Sequence, residues 1–334
     1  MKRMTCLGLT LCILLLGFAC AEGNSDCLCM TEFLPDTVPD LTCSPYKIDP
    51  SKAMDVLMNA PYLTVDTEGH YMGTGWSNDD EEMAIGPDYI TYETRLGKNL
   101  SELVDGSAPL FMERNGGTTN DLSFGGVDEI ATRAKDMLEK LGIHAELVHA
   151  QAYDEAMLRA AIPLAFRPVD ATKIEECYVL FFGCTENGLR LPLDGYHSDL
   201  STVNMDGSEI MVLWTKDGLQ YLSGGRLYHI DETVENSSRL LSPEEAFSIV
   251  QADYALYTRI SHARLIGVRI SHQRLVYAKV PISGVDPDNG YRLIPAWLFT
   301  QEQQWNVSME PGGYELQPEY SDLVLIDART GEEL

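Results

Sequence analysis

Cys177-Tyr178-Val179-Leu180-Phe181-Phe182-Gly183-Cys184 is the run on which the reading of the fold turns. It is apolar without alternation, which marks a central strand buried on both of its faces. Extended, its ends lie about 23 Å apart at ~3.3 Å per residue, so Cys177 and Cys184 cannot bond to each other. Upstream, Val127, Ile130, Ala131, Ala134, Leu138 and Leu141 recur at helical spacing, and Gly142 ends that helix. A strand over Ile143–Val148 and a second helix over Tyr153–Ala161 complete the approach to the run. Downstream, Glu209–Trp214 and Leu219–Leu222 read as strands joined by Lys216-Asp217-Gly218, where Asp-Gly is the hairpin signal.

The same order returns near the C-terminus. Leu241-Ser242-Pro243-Glu244-Glu245 opens a helix, with Ser242 as N-cap, Pro243 in the first turn and Glu245 closing a capping box. Strands are expected at Ala263–Ile270, Leu275–Ile282, Arg292–Phe299 and Leu323–Asp327. A helix followed by an antiparallel meander, twice, gives an α+β fold of two related units, each a helix packed on an antiparallel β-sheet. The boundaries read as a signal peptide over 1–21, a flexible tether over 22–50, an N-terminal β-rich segment over 51–120, a first α+β unit over 121–240 and a second over 241–334. The tether reading rests on Pro35, Pro39, Pro45 and Pro50 with little apolar periodicity between them. A short helix is expected from Ser51 to Asn59 with Ser51 as its cap, then strands at Tyr62–Val65 and Tyr89–Tyr92. Between those strands, Asn78-Asp79-Asp80-Glu81-Glu82 reads as a solvated acidic loop rather than a cation site.

Compartment is legible at the N-terminus. Lys2 and Arg3 precede an apolar run from Cys6 to Ala21, the layout of an export signal, and at roughly 15 apolar residues it is short of the ~20 that span a bilayer. Two cleavage readings compete. Ala19-Cys20-Ala21 suits ordinary signal peptidase, whereas Leu16-Gly17-Phe18-Ala19-Cys20 is a loose lipobox that would make Cys20 a lipidation site and supply a membrane anchor. Removing residues 1–21 takes two cations and no acid, moving the formal charge from −27 to −29. So acidic a body repels the phosphate backbone, which excludes nucleic acid as a general partner, and it disfavours anionic lipid surfaces, leaving a lipid anchor as the route to a membrane.

Cys27, Cys29 and Cys43 leave three alternatives open: unpaired thiols, one disulfide within the trio, or a metal site, although the spacing is not that of a zinc finger. With Cys177 and Cys184 the count is odd, so at least one thiol is free. No G-x-S-x-G, H-E-x-x-H, G-x-x-x-x-G-K-[ST] or paired C-x-x-C occurs, and no catalytic residue, metal ligand or cofactor is assigned. His144 and His149 lie on opposite faces of a strand. Ser261-His262 and Ser271-His272 likewise point apart and cannot form a nucleophile and its base. Asp286-Pro287-Asp288-Asn289-Gly290 is a turn rather than a calcium loop. Asn99, Asn236 and Asn306 head glycosylation sequons, relevant only in a eukaryotic host. Trp297 and Phe299 alternate on one strand and read as core, leaving Trp76, Tyr291 and Trp305 as the candidate ligand or partner surface.

The stretches Tyr291–Phe299, with its Pro295-Ala296-Trp297, and Leu325-Ile326-Asp327-Ala328-Arg329-Thr330-Gly331-Glu332, preceded by the Ser242–Ala246 helix start, resemble the C-terminal strands of PepSY-like and YycI-like extracytoplasmic domains of Firmicutes and uncharacterised lipoproteins related to them. The resemblance covers about residues 241–334, with a weaker echo over 125–230. It implies a helix on an antiparallel sheet outside the membrane, and roles such as restraining a sensor kinase or a peptidase through protein contacts. The chain departs from the YycI-like pattern in lacking a retained N-terminal transmembrane helix. The functional expectation is an exported or lipid-anchored, non-enzymatic bacterial envelope protein that binds or regulates another extracytoplasmic protein. Its location is the outer face of the cell membrane or the medium. The alternative is a small-ligand or glycan-binding lipoprotein with an aromatic groove between the α+β units.

Overall fold

The computed structural model describes residues 37–58, 63–66, 74–114, 121–165, 167–192, 210–249, 263–285, 290–310, 313–316 and 320–334. The chain divides into Met1–Glu32, which lies outside the described residues, and the unit Phe33–Leu334 described below. The signal segment, Cys20, Cys27, Cys29, His70, His197, Ser261-His262 and Asp286–Asn289 fall outside the described residues.

The strands are β1 (Asp40–Pro45), β2 (Leu63–Asp66), β3 (Thr74–Ser77), β4 (Glu81–Ile85), β5 (Ile90–Thr94), β6 (Glu146–Tyr153), β7 (Cys177–Gly183), β8 (Thr185–Glu186), β9 (Leu189–Arg190), β10 (Ile210–Thr215), β11 (Gly218–Gly224), β12 (Tyr228–Val234), β13 (Ala263–Pro281), β14 (Tyr291–Glu310), β15 (Gly313–Leu316) and β16 (Tyr320–Asp327). The helices are α1 (Pro50–Leu57), α2 (Arg95–Arg114), α3 (Val127–Leu141), α4 (Glu155–Ala161) and α5 (243–249). Among the described residues every strand pairing is antiparallel. The class is α+β, a helix-bearing fold on antiparallel sheets.

Among the described residues, one sheet of eight strands runs β2-β3-β4-β5-β11-β10-β7-β6. β7 is the quoted run, and its side chains alternate between two cores. Tyr178, Leu180 and Phe182 join α3 on one face, while Cys177 and Val179 join α2 and α4 on the other. A strand covered by helices on both sides has no polar face to display, which is why its sequence does not alternate. α3 matches the sequence reading at both ends and stops at Gly142, whose φ of 83° is the left-handed cap that glycine adopts without strain.

The second sheet is organised by β14. On one side β14 pairs with β13 over nearly its full length. Its other side carries β1 from Tyr291 to Leu293, β16 from Ala296 to Gln303, and β15 beyond. Trp297 and Phe299 stack with centroids 6.3 Å apart, and Phe247 of α5 tilts against Phe299. The Trp297 indole donates to Leu241 O at 3.0 Å, tying the sheet to the start of α5. The expected capping box is formed: Glu245 N donates to Ser242 Oγ at 3.2 Å and Ser242 N to Glu245 Oε2 at 2.7 Å.

Several sequence expectations are corrected. Residues 37–50 are not tether. β1 inserts between β12 and β14 with Leu41 and Cys43 fully buried, and the prolines occupy permitted places, Pro45 at the strand end and Pro50 in the first turn of α1. The α1 cap is Asp49, whose carboxylate accepts from Ser51 N at 2.9 Å, not Ser51. The expected boundaries at 120 and 240 do not divide the sheets: strands from 63–94 and 146–224 share the eight-stranded sheet, and β12 leaves for the other. α2 was not anticipated. It presses onto β11 so closely that a Cβ at Gly97 would sit 1.8 Å from Gln220 O. Finally, the strands expected at Ala263–Ile270 and Leu275–Ile282 are one strand, β13. The polar stretch between them carries a bulge at Ile270/His272.

Candidate functional site

Polar and aromatic side chains converge at two places where β1 enters the second sheet. At the first, register brings Cys43 opposite Tyr291 on β14, while Pro45 stands opposite Tyr228 on β12. The Tyr228 and Tyr291 rings meet edge to face, 5.9 Å apart at 87°, and Lys279 Nζ of β13 lies 3.4 Å from the Tyr291 centroid and 5.9 Å from that of Tyr228. The Tyr228 hydroxyl donates to Pro192 O at 2.8 Å. Tyr228 also packs against the cores of both sheets, so this seam fastens one sheet to the other. Burial, with Tyr291 close by, raises the Tyr228 phenol pKa.

The second place is an ion cluster. Asp40 is buried in β1. Its Oδ2 takes Arg292 Nη2 at 2.6 Å and its Oδ1 takes Arg329 Nη1 at 2.5 Å. Arg329 Nη2 donates to Val38 O, and its Nε is buried without a hydrogen bond. Asp327 Oδ1 accepts from Arg329 N at 2.7 Å and Thr330 N at 3.0 Å, which folds the final turn over the cluster. Tyr277 donates to Pro39 O at 3.1 Å and accepts from Asn187 at 3.1 Å. The cluster joins the first strand, the central strand and the C-terminal turn. A third feature is a depression of about 450 Å³ beside α1 and α3, lined by Asp55, Val56, Arg133, Asp136, Met137, Lys140 and Trp214. Its charges are mixed.

The candidate surface residues do not come together. Trp76 is 7% exposed in β3 and belongs to the core of the eight-stranded sheet, so it offers no surface. Tyr291 is 8% exposed and held under Lys279 on the other sheet. Trp305 stands opposite Leu265 in register, and its side chain lies outside the described residues. Burial pushes the thiols of Cys43 and Cys184 up to about 12, with Asp231 and Glu186 adding to the rise at Cys43 and Arg190 opposing it at Cys184. Cys177 is raised by burial and by Glu176. Thiols held protonated in this way are poor nucleophiles. Among the described residues no group of three His, Cys, Asp or Glu side chains is placed to hold a metal. In the expected acidic loop, Asn78 Oδ1 caps the turn by accepting from Asp80 N and Glu81 N, and Glu81 turns inward to accept from the Tyr92 hydroxyl at 3.1 Å.

Sequence reasoning missed the Asp40 cluster. Arg329 was in view as part of the Asp-Ala-Arg-Thr-Gly-Glu ending, but its partner lies 289 positions away. In the sequence it shows only as Asp40 beside Pro39 in an apparently unstructured stretch.

No family model and no curated protein matches the chain. A solved structure does: an uncharacterized protein from Eubacterium rectale ATCC 33656, 18% identical, with a TM-score of 0.61, covering 89% of this chain and 86% of that one. At that identity the likeness concerns the fold alone.

Proposed function

We propose that the chain is an exported, non-enzymatic protein of the bacterial envelope that binds or regulates another extracytoplasmic protein, held at the outer face of the membrane through a lipid on Cys20 or released to the medium. The observation that carries this reading is the charged and apolar leader at residues 1–21 ahead of a strongly acidic folded body. The order of helix then antiparallel strands at Val127–Leu141 and again at 243–249 supports treating the two as related units of PepSY-like or YycI-like character. The buried, raised thiols weigh against cysteine chemistry. Trp76 and Tyr291, the aromatics on which a glycan groove would depend, are committed to packing, which favours protein contacts over the small-ligand alternative.

The test is the intact mass of the protein from membrane and medium fractions of its host, followed by crosslinking from whichever fraction holds it. A diacylated Cys20 in the membrane fraction with one reproducible crosslinked neighbour is the expected result. An unmodified chain in the medium that crosslinks to nothing would overturn the reading.

A further inference from the structure

The depression beside α1 and α3 has an aromatic side chain that the sequence reading did not single out, Trp214 of β10. The register of β10 on β11 shifts between Leu213 and Trp214. Leu213 packs into the core beneath α2 and α4, whereas Trp214 lies on the α3 side, partly buried against that core. The Trp297 indole donates to Leu241 O, but the Trp214 N–H makes no hydrogen bond among the described residues, and its nitrogen is not buried. An aromatic face and an open donor therefore meet at the lining of a cavity of about 450 Å³, a volume in the range of small-molecule sites.

The charges around it balance. Arg133, Asp136 and Lys140 fall at i, i+3 and i+7 on one stripe of α3, and Asp55 comes from α1, so two bases and two acids line the depression in a chain of formal charge −27. Asp136 and Lys140 have the spacing and the acid-first order that favour an ion pair along a helix, yet they form none. Arg133 turns away from Asp136 to Glu129. Among the described residues the side chains of Asp55, Asp136 and Lys140 make neither a hydrogen bond nor an ion pair. A solvated helix face accounts for charges of alternating sign, but not for their meeting around an indole whose N–H is left open.

We propose that this depression binds a neutral saccharide, with the C–H face of one sugar ring stacked on Trp214 and its hydroxyls shared among the charged walls. A hydroxyl both donates and accepts, so a single ligand class can donate to Asp55 and Asp136 while accepting from Lys140 and from the indole N–H. Aromatic rings supply rigid apolar contact for the ring face. A ligand of net charge would meet two like charges whichever its sign. A zwitterion would satisfy one acid and one base and leave the other two, and the indole, without use. The inference goes beyond the partner-binding reading and does not rest on it. Trp76 and Tyr291, which are committed to packing, have no part in it.

The test is isothermal titration calorimetry of the full chain at about 0.15 M salt with three neutral probes, N,N′,N″-triacetylchitotriose, cellotriose and maltotriose. At least one is expected to saturate a single site with a Kd below about 1 mM, and the cationic deacetylated chitotriose to bind more weakly than the best of them. Trp214→Ala is expected to abolish binding. Trp214→Phe, which keeps a ring face without the N–H, and the double variant Asp55→Ala/Asp136→Ala are each expected to weaken it about tenfold, with circular dichroism confirming the fold. Should Trp214→Ala fail to fold, the double variant decides, because both acids are exposed. Four results would each overturn the proposal: no saturation by any neutral probe, tighter binding of the cationic one, binding indifferent to the double variant, or displacement of the sugar by millimolar L-glutamine, which would give the site to a zwitterion.

Discussion

Replacing Asp40 by Ala asks whether the segment before residue 46 belongs to the folded body. Asp40 has a side chain 5% exposed, Arg329 one of 9% and Arg292 one of 52%. Removing Asp40 strands the Arg329 guanidinium, already short of one partner at its buried Nε, in a place water barely reaches. Breaking a buried pair in this way costs about 3–5 kcal/mol. Removing Arg292, half in water, costs roughly 0.2–1 kcal/mol by the same comparison. With a urea slope of about 3 kcal/mol per molar, Asp40→Ala moves the unfolding midpoint down by about 1–1.7 M, and Arg292→Ala by about 0.3 M or less. Tryptophan fluorescence during urea unfolding reads both. Adding Arg329→Met to Asp40→Ala recovers part of the loss, because no buried charge is then left alone. An Asp40→Ala cost under about 1 kcal/mol, or equal costs for Asp40 and Arg292, would refute the argument and restore the tether.

Three further outcomes follow from the same geometry. Gly97→Ala drives a Cβ into Gln220 O and destabilises by about 1–3 kcal/mol, seen as a lower thermal midpoint, whereas Gly188→Ala meets no atom within 4 Å and pays only for its left-handed φ of +77°. Ser242→Ala removes the cap of α5 and costs about 1 kcal/mol by denaturant unfolding; no measurable change would mean that the capping box is idle. Cys43 and Cys184, raised from 9.0 to about 12, carry about a thousandfold less thiolate at pH 8 than ordinary thiols, so iodoacetamide labels them only on unfolding, and rapid labelling of the native protein would contradict their burial. The linkage has a definite sign: folding holds these protons, so their stabilising effect is complete below pH 9.0 and is lost as pH rises towards 12, a slope that Cys43→Ala flattens.

The sequence by itself determined what is written in consecutive residues. The doubly buried run Cys177–Gly183, the helix Val127–Leu141 with its glycine cap, the capping box at Ser242 and Glu245, and the hairpin at Asp217-Gly218 all depend on neighbours within a few positions, where periodicity and capping chemistry act. What tertiary structure alone decided depends on partners far along the chain. Pro39 to Pro45 looks unstructured until β12 and β14 supply its hydrogen bonds from beyond residue 227, and Asp40 looks like one acid among many until Arg292 and Arg329 close on it. The register of β13 on β14 is likewise absent from its spacing, because a bulge is a relation between two strands and shifts their pairing without changing a residue. Local pattern fixes what a segment prefers, but the pairing of distant strands fixes which neighbours it meets, and the candidate sites of this protein lie where such neighbours meet.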